Sequence, residues 1–126
     1  MKDNRMTIVI DKPIQEVFDF SLNPENTPKW IPDIAVEETS EWPVKVGTIY
    51  RNKRARGAWN TYELVEIVPG STFTLKSKDT DFSVRYTFKE LPDHKTEFEY
   101  YEWVESGTID PFTFEHLEKF RDLVEN

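Results

Sequence analysis

Cysteine is absent from this chain, and glycine and histidine are scarce, with four and two residues among 126. Without cysteine there is no disulfide framework and no thiolate metal site. Four glycines form no glycine-rich loop of the kind that holds phosphates, and no recognisable catalytic spacing of Ser, His and Asp occurs. The apolar runs are too short for a membrane-spanning helix, so membrane insertion is not expected. We therefore expect neither a metal nor a cofactor.

Positive charge is also in deficit. Sixteen Lys and Arg residues face 24 Asp and Glu residues, and the formal net charge is -8. Nucleic acids and anionic membrane surfaces attract proteins of the opposite sign, so nucleic-acid binding is not expected. One basic stretch, at 51–56, is most simply an exposed hairpin tip. The first residues, MKDNRMTIVID, contain no hydrophobic signal region, and a cytoplasmic location is the expectation.

Aromatic residues are abundant, with nine Phe, five Tyr and four Trp. Each aromatic side chain buries a large area, so these residues can build a core although only 37% of the chain is hydrophobic. The length fits one domain, over residues 1–126. Turn residues recur at short, regular intervals, which is typical of antiparallel β structure.

The local patterns predict a first strand over 5–10 and a second over 35–42. Between them, helical spacing after prolines predicts two short helices, over 13–21 and 24–31. One longer helix is predicted over 110–125, with Asp110 as its N-cap. Its buried stripe would contain Thr113, Leu117, Phe120 and Val124, with Phe114 and His116 on the flanks.

The last two strands form a hairpin whose register follows from the turn Pro92-Asp93-His94. This turn pairs Phe88 with Phe98, Tyr86 with Tyr100, and Val84 with Glu102, all facing inward. Lys89 then meets Glu97 on the other face. The aromatic pairs share one face and the charged pair lies on the other, which a slip of one residue would destroy.

Three further turns extend this register through the sheet. A turn at 69–71 pairs Ile67 with Phe73 and Val65 with Leu75, and a loop at 78–81 brings Leu75 opposite Val84. A turn at 56–58 places Ile49 opposite Val65 and Arg51 opposite Glu63, both pairs facing inward. An alternative register for this last hairpin turns Tyr50 inward instead.

Several segments together carry a family resemblance. They are IVIDKPIQEVFDFSLNPENTPKWIPDI, VGTIYR, the VEIVPG turn and the final helix. The chain resembles the START/Bet v 1-like (SRPBCC) superfamily, in particular its polyketide cyclase/dehydratase-like branch. The resemblance implies an α+β helix-grip fold, in which a seven-stranded antiparallel sheet curls around the C-terminal helix and leaves a cavity between them. Function varies widely in this superfamily, so the fold alone does not assign chemistry.

Glu102 is the most unusual residue of the inward face, because it is a carboxylate among aromatic side chains. A buried carboxylate without a partner has a raised pKa and could act as a general acid. The alternative is that Glu102 meets water in the cavity or lies at the open end of the sheet. His116 is a second, tentative catalytic candidate. Arg51 and Glu63 could form a pair at the rim or hold a ligand carboxylate.

The remaining candidates are aromatic. The hydroxyls of Tyr86 and Tyr100 need partners, from neighbours, water or a ligand. Trp42 and Trp103 are assigned to outward or edge positions, where they could mark a homodimer patch. The full set of predicted ligand-binding residues is Trp30, Arg51, Trp59, Glu63, Phe73, Tyr86, Tyr100, Glu102, His116 and Phe120.

Three hypotheses follow. The chain could bind a small apolar or aromatic molecule, which requires a concave apolar site with a few polar groups. It could be an enzyme of the cyclase/dehydratase type that uses Glu102 or His116 for proton transfer. It could instead be an interaction module that binds a protein or its own copy. The residues favour the first hypothesis and leave open whether any reaction is catalysed.

Overall fold

Seven strands form one antiparallel sheet in the computed structural model, which describes residues 1–126. The strand order is β1-β7-β6-β5-β4-β3-β2, so consecutive strands are neighbours except at the return to β1. The strands are β1 (Lys2–Ile10), β2 (Ile34–Thr39), β3 (Ile49–Arg54), β4 (Trp59–Val68), β5 (Thr72–Ser77), β6 (Ser83–Leu91) and β7 (Lys95–Val104). The fold is the predicted α+β helix-grip, with helices gathered against one face of a curled sheet.

The helices are α1 (Ile14–Leu22), α2 (Thr27–Trp30) and α3 (Phe114–Glu125), and a 3-10 turn (Pro24–Asn26) leads into α2. Two short helices therefore separate β1 from β2, as predicted. Asn23 caps the 3-10 turn, because its side-chain oxygen accepts a hydrogen bond from the backbone N–H of Glu25 at 3.0 Å.

The start of the last helix was predicted four residues too early. The helix begins at Phe114, and Thr113 is its N-cap. Nδ1 of His116 accepts a hydrogen bond from the backbone N–H of Thr113 at 2.9 Å, which closes the first turn. The preceding residue, Phe112, donates its N–H to Glu102, so the segment around Asp110 is held outside the helix.

The predicted register of the last hairpin is confirmed. Residue pairs Phe88–Phe98, Tyr86–Tyr100 and Val84–Glu102 face each other across β6 and β7. Asp93 and His94 adopt left-handed backbone conformations, with φ of 64° and 59°, and complete the turn. Leu75 lies opposite Val84, also as predicted.

A β-bulge in β4 overturns part of the upstream register. Ile67 pairs with Phe73 as predicted, but Leu64 rather than Val65 lies opposite Leu75. Val65 is the extra residue of the bulge. An extra residue reverses the alternation of side chains, so residues on its far side point to the opposite face from the one expected. Leu64 is therefore fully buried, whereas 38% of Val65 is exposed.

The predicted pairing of β3 with β4 was wrong by two residues, because the turn between the strands is centred on Arg56 rather than on Gly57. Ile49 lies opposite Glu63 and Arg51 lies opposite Thr61. Arg51 and Glu63 lie on the outer face because the bulge turns Leu64 rather than Val65 toward the core. Tyr50 turns inward, and its hydroxyl donates a hydrogen bond to the carbonyl of Leu22 at 2.7 Å. This contact ties β3 to the end of α1.

Aromatic rings fill the concave face of the sheet. Phe73 stacks on Tyr86 with ring centroids 4.5 Å apart, and Phe88 stacks on Phe98 at 5.1 Å. Phe120 of α3 packs against Phe98 at 4.8 Å. The helix thus rests directly on this aromatic layer, and the rings bind sheet and helix into one core.

Truncation of the central ring tests this packing. Phe98 is 0% exposed, so Phe98→Ala should lower the free energy of unfolding by about 3–5 kcal/mol, since both transfer free energy and cavity formation count. Val9→Ala on the outer face of β1, where the side chain is 49% exposed, should change it by less than about 0.5 kcal/mol. Urea denaturation measures both. Equal effects would contradict the packing described here.

Candidate functional site

A cavity of about 270 Å³ opens between the concave face of the sheet, α2 and the segment that follows β7. No residue of α3 lines it. The C-terminal helix packs on β1 and on the first two helices, with Leu117 and Phe120 fully buried. The expected location of the cavity, between sheet and C-terminal helix, is therefore corrected: the cavity lies beside the helix.

The back wall of the cavity is largely apolar. Phe73, Leu75, Val84, Tyr86 and Tyr100 project from β5, β6 and β7. Their positions follow from strand alternation, which sends every second side chain to the same face. Besides Tyr50 and Tyr62, the other apolar lining residues are Ile31, Ile34, Phe82, Ile109 and Phe112.

The opposite side of the cavity is polar and is centred on Glu37 of β2. Its carboxylate accepts hydrogen bonds from the hydroxyl of Thr27 at 2.6 Å and from the side-chain amide of Asn52 at 3.1 Å. No Lys, Arg or His forms a salt bridge with it. Burial raises the pKa of Glu37, and the two hydrogen bonds oppose that rise.

Three tyrosines surround this carboxylate. Burial raises the pKa of Tyr50 and Tyr62, on neighbouring strands, and of Tyr86 on the back wall. The negative charge of Glu37 raises the pKa of each of these three tyrosines further. The phenols therefore stay neutral at physiological pH. Each hydroxyl can donate and accept a hydrogen bond.

Glu102, in contrast, is occupied by donors from its own chain. One oxygen accepts hydrogen bonds from the amide of Asn4 at 2.9 Å and from the backbone N–H of Phe112 at 2.8 Å. The other accepts one from the hydroxyl of Tyr100 at 3.1 Å. Asn4 also donates to the carbonyl of Phe112 at 2.9 Å. Together Asn4 and Glu102 hold both backbone groups of Phe112, as a neighbouring strand would.

The segment from Glu105 to Phe112, which we call the roof segment, is held at both of its ends. At the far end, one carboxylate oxygen of Asp81 accepts backbone hydrogen bonds from Glu105, Ser106 and Gly107. The hydrogen bond from the backbone N–H of Ser106 is the largest of the effects that lower the pKa of the Asp81 carboxyl. A Cβ atom at Gly107 would lie 2.5 Å from Oδ1 of Asp81, so a larger residue there would have to displace this carboxylate.

Four of the ten residues predicted to bind ligand line the cavity. They are Phe73, Tyr86, Tyr100 and Glu102. Trp30 and Phe120 lie behind the wall as core residues, with ring centroids 5.1 Å apart.

The other four lie elsewhere. Arg51 pairs with Glu38 on the outer face, and its guanidinium covers the ring of Trp59 at 4.3 Å. Glu63 pairs with Lys78 at 3.3 Å. His116 caps α3 and stacks on Phe112 at 4.7 Å, but it does not itself line the cavity.

Trp103 points outward as predicted, but it is half-buried. Its ring stacks on Tyr101 at 5.0 Å, and the guanidinium of Arg85 covers it at 5.4 Å. Trp42 lies in the loop after β2 rather than in the strand, and 57% of its surface is exposed.

Glu37 is the central polar residue of the cavity, and sequence reasoning missed it. The sequence of β2 does not show the usual pattern of apolar residues inward and polar residues outward, because Val36 is exposed while Glu37 faces the cavity. A register shift in the pairing of β2 with β3, between Ile34 and Val36, sets this orientation. The only available hint was Asn52, a polar residue that alternates with Tyr50 on β3.

The chain brings together no group of three or more His, Asp or Glu side chains that could hold a metal ion. None of its helices has both the length and the apolar character needed to cross a membrane.

Comparison with known proteins agrees with this architecture. The family model described as "Polyketide cyclase / dehydrase and lipid transport" matches residues 1–122. The chain belongs to this family. The match confirms the resemblance to the polyketide cyclase/dehydratase-like branch. No curated protein matches the chain.

Solved structures of proteins with distant sequences share this fold. The Aha1 dimer from Colwellia psychrerythraea has a TM-score of 0.74 at 14% identity, with 99% of this chain and 97% of that one covered. Protein CV1439 from Chromobacterium violaceum has a TM-score of 0.70 at 19% identity, covering 98% and 97%. A conserved protein of unknown function from Enterococcus faecalis has a TM-score of 0.77 at 16% identity, covering 98% and 71%. At these identities the likeness concerns the fold alone.

The pKa of Glu37 leads to a stability prediction. A carboxyl whose pKa is higher in the folded protein binds its proton more tightly there than in the unfolded chain. The free energy of unfolding should therefore fall as pH rises from the ordinary value of 4.5 through the raised pKa. Glu37→Gln cannot ionise, so its free energy of unfolding should rise relative to that of wild type as pH passes through the raised pKa. The difference should grow as pH is raised from 4.5 into the neutral range.

Urea denaturation across this pH range measures the difference. The charged groups that line the cavity besides Glu37 are Asp79, Glu102, Asp110 and, at the rim, Arg54. These groups and the neutral tyrosines all remain in the variant. Glu38→Gln, one residue along β2 on the outer face, is the matched control and should not share this trend. A pH-independent difference for Glu37→Gln would contradict the assignment.

Proposed function

We propose that this protein binds a small apolar or aromatic molecule in the cavity between β-sheet, α2 and roof segment. The observation that carries the proposal is an aromatic wall that leaves open space in front of it, while polar and charged side chains make up the other half of the cavity lining. This combination is typical of small-molecule sites, where apolar surface supplies affinity and a few polar groups supply orientation.

The size of the cavity limits the ligand. A cavity of about 150 Å³ accommodates benzene, and this one measures about 270 Å³. The volume is therefore suited to a molecule of about two fused rings, and too small for a long-chain lipid to enter entirely.

Tyr86 provides a reason for a polar substituent on the ligand. It is almost fully buried, and its hydroxyl takes part in none of the chain's side-chain hydrogen bonds, unlike those of Tyr50 and Tyr100. Every fully buried side-chain oxygen of the chain has a hydrogen-bond partner. The Tyr86 hydroxyl has none, so it is not fully buried, and it is exposed to the cavity that Tyr86 lines. A ligand group could satisfy it.

The two alternative functions have weaker support. The oxygens of Glu102 are already bonded to Asn4, Phe112 and Tyr100, which leaves this residue poorly placed for proton transfer. A homodimer is a separate proposal, supported by exposed Trp42 and by the dimer of the similar Aha1 structure. Trp103, stacked within its own sheet, adds little to it.

Filling the cavity tests the proposal. Val84 lines the wall, and Val84→Phe places a ring in the space that the ligand would occupy. We expect 1-naphthalenemethanol to bind wild type, and the substitution to weaken this binding at least about tenfold, since the probe loses its apolar contacts. Isothermal titration calorimetry measures the affinity, and thermal unfolding confirms that the variant is folded.

Val65→Phe is the matched control, because it makes the same change on the outer face of β4, where the side chain is exposed. It should leave the affinity unchanged. Equal binding by both variants and wild type would show that the probe binds elsewhere.

A further inference from the structure

The charge of the cavity lining is unbalanced. Four carboxylates, those of Glu37, Asp79, Glu102 and Asp110, line it together with a single guanidinium, that of Arg54. Arg54 is exposed at the rim and forms an ion pair with Asp33 at 3.3 Å. A ligand therefore meets predominantly negative charge and hydrogen-bond acceptors when it enters.

Glu37 is the carboxylate of this set that most lacks compensation. Asp79 accepts a backbone hydrogen bond from Thr61 at 3.0 Å at the edge of the sheet, and Glu102 is bonded to three donors. Glu37 has only the two neutral donors Thr27 and Asn52. Glu37 is half-buried, and a carboxylate partly removed from water is stabilised by a cationic partner, which this chain does not supply.

Aromatic rings border the same region. Tyr86 and Tyr62 lie close enough to Glu37 for its charge to affect them, and Phe82 packs edge-on against Tyr62 with centroids 6.4 Å apart. The faces of such rings attract ammonium groups, and hydroxyl oxygens accept hydrogen bonds from them. The surroundings of Glu37 thus offer acceptors and ring faces, and no free cation.

We infer that the ligand of this cavity is an amine: a molecule of about two rings that carries an ammonium group, with the rings against the β5–β7 wall and the ammonium group against Glu37. The inference rests on the proposed function, since it names the ligand class of the same cavity. A carboxylate ligand would instead place a second negative charge beside Glu37, and a neutral ligand would leave Glu37 uncompensated.

Three probes of matched size test this inference by calorimetry at neutral pH. They are 1-naphthylmethylamine, 1-naphthalenemethanol and 1-naphthoate, which present a cation, a neutral hydroxyl and an anion on the same ring system. The amine should bind at least about tenfold more tightly than the alcohol, and the carboxylate most weakly. Glu37→Gln should abolish the preference for the amine, while Glu38→Gln on the outer face should retain it.

The outcomes separate the two proposals. If alcohol and amine bind equally, or the carboxylate binds best, the ligand class is wrong while the cavity remains a binding site. If the preference for the amine survives in Glu37→Gln, another group recognises the ammonium and the inference is overturned. If none of the probes binds wild type, the proposed function fails for ligands of this size, and the inference fails with it. The ranking in wild type decides the ligand class even if a variant does not fold.

Discussion

Stacking of aromatic rings across β5, β6 and β7 is the interaction on which the rest of the structure depends. Phe73, Tyr86 and Phe98 form a continuous layer, with successive centroids 4.5 and 5.7 Å apart. This layer supports Phe120 of α3 on one side and forms the wall of the cavity on the other. Because each ring is held by its neighbours, the wall keeps its shape without a ligand, which reduces the entropic cost of binding.

Two glutamates on the same concave face illustrate how environment determines the role of a residue. Glu102 is surrounded by donors and uses them to hold Phe112 and the roof segment in place. Glu37 has two neutral donors and an open cavity beside it. The first carboxylate stabilises the architecture of the site. The second has no cationic partner in the chain, and its role in ligand recognition is inferred from this.

Much of the fold could be predicted because hairpin registers are constrained by turns and by cross-strand pairs. Tyr86–Tyr100 and Val84–Glu102 were placed correctly because β6 and β7 contain no bulge. The bulge at Val65 and the register shift before Val36 leave no clear mark in the sequence, yet each reverses a face. They removed Arg51 and Glu63 from the inner face and concealed Glu37. Similarly, Asp110-Pro111 is a good helix start locally, but the hydrogen bonds of Phe112 to Glu102 and Asn4 override it.

The central claim is that the space in front of the aromatic wall receives an aromatic molecule. Intermolecular nuclear Overhauser effects between 1-naphthylmethylamine and assigned methyl groups test it most directly. The account predicts contacts with the methyls of Leu75, Val84 and Ile109, which line the cavity. Contacts confined to Val9 and Val65, whose side chains lie exposed on the outside of the sheet, would contradict it.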